Sequence, residues 1–197
     1  MSRLPYVQRQ DLDVQTGELW DGLATSRSTH LVNEEGGLMG PFNAWVTAPE
    51  LGRRLVDLGT HLRFGTSINR RLLELAIVTV AAHWKAEFEW WAHAAMARRH
   101  GVPDEILEAL SEGKTPQFGS DDERIVYAVA RQLVTSGGLD PATYEAARSA
   151  LGDAGMVELV SLCGFYTLVS FTLNAFAVPL PPDAKAVWSD EQPAPHA

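Results

Sequence analysis

Cysteine is nearly missing from this chain: Cys163 stands alone among 197 residues. One thiol cannot close an internal disulfide, and without a Cys-x-x-Cys pair dithiol redox catalysis is excluded. Basic residues are also scarce, sixteen against 25 acidic ones for a net charge of −9, and they occur only in short pairs such as Arg53-Arg54, Arg70-Arg71 and Arg98-Arg99. That balance argues against nucleic acid or an anionic membrane surface as a partner. The start, "MSRLPYVQRQDL", lacks the apolar core of a secretory signal, and a reducing cytoplasm is the expected location. Strand patterns are almost absent. So are HExxH, paired Glu-x-x-His, G-x-S-x-G and glycine-rich phosphate loops, so neither a metal nor a nucleotide cofactor is expected.

Helix punctuation is what the sequence has in quantity. Pro49-Glu50 opens a segment in which Leu51, Leu55, Leu58 and Leu62 recur at helical spacing until Gly65. A second pattern runs from about Asn69 to His100, and Gly101 with Pro103 starts a short helix through Leu110. Ser120 with Glu123 has the form of a capping box, Gly137-Gly138 a C-terminal stop, and Asp140-Pro141 an N-cap followed by an N1 proline. Asp153 is a candidate cap for a final apolar helix that Pro179 ends. These signals predict an all-α, single-domain bundle of six to seven helices over residues 1–178. Residues 26–48 read as a long ordered loop or broken helix, and 179–197 as a proline-rich, extended or disordered tail.

Residues 156–178 are long enough to cross a bilayer. They carry Glu158 and Asn174 and lack flanking Lys or Arg anchors, so the expected role is a core or interface helix. The apolar surface of that helix exceeds what a small monomer covers, which predicts a homo-oligomer.

The stretch "EFEWWAH", residues 87–93, gathers titratable side chains inside an otherwise apolar run. Glu89 and His93 are four apart, on one helical face. Spacing alone fits either an exposed helical pair worth a few tenths of a kcal/mol or an acid–base pair in which the carboxylate orients a partly exposed imidazole and favours its charged form. Along one straight helix Glu74 would lie about 28 Å from His93, at roughly 1.5 Å per residue. A break at residues 83–85 would fold Glu74 back toward it. Trp90, Trp91 and Phe42 are candidate apolar walls of a substrate pocket, with His83 a further candidate lining residue. Trp84 is a core candidate.

The run "RRLLELAIVTVAAHWKAEFEWWAHAAMARRHGVPDEILEAL", followed by "DDERIVYAVARQL" and "YTLVSFTLNAFAVPL", resembles the carboxymuconolactone decarboxylase family, which includes the alkylhydroperoxidase D-like proteins, over about residues 38–178. The resemblance implies an all-α alkylhydroperoxidase D-like fold and a homo-oligomer, commonly a trimer or hexamer. It places Glu74 and His93 where the peroxidase branch has its glutamate and histidine, while Ala86 and Glu89 occupy the cysteine positions. The Glu89-x-x-x-His93 pair before Gly101, and Leu173-Asn174-Ala175-Phe176, resemble the decarboxylase branch. The activity implied is that of a cofactor-independent lyase or isomerase acting on a small carbonyl- or lactone-bearing acid, with His93, Glu89 and Glu74 as catalytic residues. The alternative is a non-catalytic, oligomeric ligand-binding member; a thiol peroxidase is not expected.

Overall fold

The computed structural model describes residues 2–25 and 31–188. After a single 3-10 turn at Arg9–Asp11, the described residues form α1 (Val14–Thr25), α2 (Phe42–Thr47), α3 (Pro49–Phe64), α4 (Arg70–His83), α5 (Glu87–Arg99), α6 (Asp104–Ser111), α7 (Asp121–Ser136) and α8 (Pro141–Ala175). The all-α class holds, with eight α-helices rather than six or seven. The difference lies in α1 and α2, whose short or weakly amphipathic sequences give little periodicity to read, and in α8, which runs on where two helices were expected. Apart from one isolated bridge between Val32 and Leu38, no strand pairing occurs among the described residues.

Ser120, Asp140 and Gly137 act as read. Ser120 Oγ accepts the Glu123 N–H at the head of α7, Asp140 does the same for Thr143 at the head of α8, and Gly137 closes α7 in the left-handed region at φ 73°. Within α8 the backbone breaks at Gly152, with φ 69° and ψ 175°, a conformation essentially restricted to glycine. A terminal arm therefore bends away from the first. It ends at Ala175, before Pro179, because Ala177 at φ 48° already turns the chain and Val178 N–H reaches back to the Leu173 carbonyl.

Helix α4 is the axis of the molecule, packed by α5, α7 and α8. Every residue from Leu72 to Ala81 is buried. Between α4 and α5 the chain reverses through a tight C-cap: Ala86 N–H donates to the Ala81 carbonyl, Lys85 N–H to that of Ala82, and Lys85 itself takes the left-handed conformation at φ 48°. Asn174 Nδ2 donates to the Trp84 carbonyl at 2.7 Å, so α8 pins this turn from outside. The reversal at residues 84–86 lays α5 back along α4, and their facing side chains meet.

Described tail residues do not trail free. Val187 and Trp188 donate backbone N–H groups to the Glu87 carboxylate, and Trp188 Nε1 donates to the Ser111 carbonyl at 2.8 Å. The Trp188 ring is buried in a second apolar cluster with Leu75, Val78, Ile106 and Leu107. Residues 179–188 form no helix or strand, and one large aromatic ring anchors them; residues 189–197 lie outside the described residues, as do 26–30 of the expected loop.

Candidate functional site

A carboxylate in the middle of a helix buried on all sides is costly unless it is paired. Glu74 is that carboxylate, 0% exposed on α4. Its Oε2 lies 2.7 Å from His93 Nδ1, and its Oε1 lies 2.7 Å from Arg70 Nη2, one helical turn earlier. On the other side of the imidazole, Nε2 lies 3.0 Å from Glu89 Oε1. His93 and Glu89 are each 4% exposed. The expected reversal brings Glu74, Glu89 and His93 together. A partly exposed pocket histidine was expected; instead α8 covers the imidazole, and the Tyr166 ring stands edge-on to it at 5.1 Å.

Geometry dictates the charge state. An ionised carboxylate only accepts hydrogen bonds, and a neutral imidazole has one N–H. With a carboxylate oxygen at each nitrogen, the imidazolium satisfies both. Burial alone would lower the His93 pKa, but the Glu89 charge and the bonds to Glu74 and Glu89 outweigh it and hold the pKa above the ordinary value. Burial would raise that of Glu74, yet the His93 bond and charge, aided by Arg70 and Arg63, leave it below the ordinary carboxylate range. Arg70, imidazolium and two carboxylates make a locally neutral set.

The other candidates scatter. Trp90 is the next residue after Glu89, so its side chain leaves α5 roughly 100° around the helix axis. It packs against Trp188 at 5.2 Å in the second apolar cluster, together with Ala94 and Ala97, and is placed as a core residue rather than a wall beside His93. Trp91 leans on Phe88 at 5.3 Å and is half-buried. Phe42 packs edge-on to Trp45 at 5.2 Å inside the main core. His83 ends α4 nine residues beyond Glu74, about 13 Å along the axis. Its Nδ1 lies 3.0 Å from Arg131 Nη1, and burial and that cation lower its pKa. Sequence reasoning missed Arg70, Tyr166 and Arg63; Arg70 at four residues before Glu74 was legible as an ion-pair partner, whereas Tyr166 and Arg63 come from other helices without a local signal.

Residues 49–132 match the family model of the carboxymuconolactone decarboxylase family. Over those residues the chain is similar to that family. Among solved structures, the chain is similar to an alkylhydroperoxidase AhpD core, an uncharacterized peroxidase-related protein from Ralstonia eutropha JMP134, at 14% identity and a TM-score of 0.73, covering 92% of this chain and 93% of that one. An uncharacterized peroxidase-related protein from Silicibacter sp. TM1040 is similar at 16% identity and a TM-score of 0.71, with the same coverage. At such identities the likeness establishes a shared alkylhydroperoxidase D-like fold. No curated protein matches the chain by sequence.

A family match and shared fold leave the chemistry to this chain's own side chains. Cys163 is buried on α8, and burial pushes its thiol up to about 12, the opposite of a reactive thiolate. Glu74 and Glu89 flank the imidazole from opposite sides instead of converging, and no group of three His, Cys, Asp or Glu side chains among the described residues is arranged to hold a metal ion.

Proposed function

We propose that this protein is a cofactor-independent lyase or isomerase of the carboxymuconolactone decarboxylase type, which moves a proton through His93 on a small carbonyl- or lactone-bearing acid. The observation that carries the reading is an imidazole clasped at both nitrogens by buried carboxylates, a group set up to hold a proton at neutral pH and to give it up when a partner is exchanged. In a decarboxylation the C–CO2 bond breaks, its electron pair remains as an enolate, and imidazolium delivers the proton to carbon; water returns it. Glu74, with the shorter contact and Arg70 behind it, holds the ring, and Glu89 turns from Nε2 as substrate enters. General acid catalysis of this kind contributes typically about 10²- to 10⁴-fold.

The assembly proposed is a homo-oligomer, trimer or hexamer, formed on the outer face of α8. There Val157, Val160, Leu168 and Phe171 are exposed at heptad-like spacing, and Leu168 and Phe171 with Gly164, Thr167, Thr172 and Phe176 line an open groove of about 500 Å³. This helix is long and apolar enough to span a membrane, but half of its most apolar window is buried in the bundle. A cytoplasmic location goes with the lone cysteine. The complete burial of the triad supports a second reading, in which the family scaffold is an oligomeric binding protein and the ion network is structural.

Carbon dioxide release and double-bond migration, followed by NMR over a panel of γ-lactone carboxylic acids and β-keto acids, separate the two. Turnover by the wild type that disappears in a folded His93→Gln variant supports the enzyme. Turnover that survives in folded His93→Gln removes His93 from the chemistry, and none across the panel leaves the binding protein.

A further inference from the structure

Resting on the site proposed above, we infer that Arg63 is the carboxylate-binding residue of this protein, placed where a small acid meets the solvent end of the Arg70–Glu74–His93–Glu89 chain. Helical spacing fixes that position. Arg70 stands one turn before Glu74 on α4, and Met96 stands one turn after His93 on α5. Arg63, near the end of α3, reaches both: its carbonyl accepts from Arg70 Nη1, and its own Nη2 donates to Met96 Sδ at 3.3 Å. Both guanidinium groups lie over the exposed Phe64 ring, at 5.0 Å for Arg63 and 4.9 Å for Arg70. Glu74, Glu89, His93 and Tyr166 are sealed, whereas Arg63 and Arg70 are half-exposed, so charge grades from solvent to imidazole through these arginines.

Of the two cations Arg70 is paired with a carboxylate and Arg63 is not. Arg70 has the Glu74 carboxylate and a backbone carbonyl. The neighbouring Arg71 and Arg98 are likewise held, by Glu123 and Asp104. Arg63 has no ion-pair carboxylate among the described residues, its Nε is buried with no hydrogen-bond partner, and a thioether, a weak acceptor, faces one of its terminal nitrogens. A guanidinium has five donors in a fork that fits a carboxylate, and an orphaned buried donor calls for an acceptor from outside. Two cations over one ring repel each other, and an anion between them removes that cost. The same arrangement supplies local positive charge for an anionic substrate on a protein of net charge −9.

The test follows the Nε–Hε signal of Arg63 by NMR while the full chain is titrated with acetate, benzoate and succinate at ionic strength fixed with chloride. The corresponding amides serve as neutral controls. At least one acid should move the signal saturably while its amide does not, and Arg63→Gln should weaken that binding about tenfold or more, with Arg63→Lys retaining part of it. His93→Gln, or Glu89→Gln should the former not fold, is expected to bind the acid as the wild type does; loss of turnover with intact acid binding would then count against the proton-transfer reading alone. The assignment is overturned if none of the three acids moves the signal beyond its amide control, or if folded Arg63→Gln binds the acid with wild-type affinity.

Discussion

Replacing His93 by alanine tests the site as a physical object before any substrate is known. The imidazole touches two carboxylates that are themselves 0% and 4% exposed. Its removal leaves Glu74 with Arg70 and Glu89 with no charged partner among those described. Breaking a buried pair by deleting one member costs about 3–5 kcal/mol. For a chain of this size that corresponds to a fall in Tm of roughly 10 °C. The pH dependence has a definite sign. His93 is raised above its ordinary 6.5, so its stabilisation is complete below that value and is lost as pH rises through the folded-state pKa. Glu74 is depressed below 4.5, so its share is complete above that value and is lost as pH falls through the folded-state pKa. The gap between wild type and His93→Ala in urea unfolding, followed by circular dichroism, should therefore be widest between these limits and narrow at alkaline pH. Equal stability of the two proteins at neutral pH would refute the buried-clasp description.

Other consequences can be checked with single variants. Glu89→Gln removes a charge that favours imidazolium, so the basic limb of the pH–rate profile should move to lower pH; an unmoved limb would separate Glu89 from the chemistry. Gly152→Ala forces a side chain into φ 69°, ψ 175° and should cost about 1–3 kcal/mol in unfolding experiments although nothing crowds the position; a neutral outcome would mean the kink relaxes. Phe171→Glu on the outer face of α8 should lower the mass seen by light scattering from an oligomer toward 21.6 kDa, and a wild type already at that mass would remove the assembly proposal. Hydroperoxide reduction with dithiol donors should stay at background, and any rate abolished by Cys163→Ser would restore the peroxidase reading.

How far the sequence reaches is seen best at α4 and α5. The caps at Ser120 and Asp140 act on the bonds their residue types allow, and the break between α4 and α5 falls at residues 84–86, beside the 83–85 that would fold Glu74 back. Given that break, the approach of Glu74 to His93 follows from antiparallel packing alone. What the sequence did not show is burial around that pair. Nothing local tells that α8 will lay Tyr166 over the imidazole, so His93 read as partly exposed. The tryptophans mislead for a different reason. Proximity in sequence to Glu89 suggested a shared pocket, yet a one-residue step turns Trp90 onto another face, where Trp188 from the chain's far end meets it. Such contacts between residues so far apart in the chain have no periodic signature, and neither does the reach of Arg63 to Met96 between α3 and α5.

The imidazole 15N shifts of His93 report directly whether this buried ring is protonated. Followed from pH 5 to 9, both nitrogens should show the imidazolium form at neutral pH, with a midpoint above 6.5 that falls in Glu89→Gln and in Glu74→Gln. A neutral imidazole at pH 7, with a midpoint below 6.5, would contradict an imidazolium held between Glu74 and Glu89.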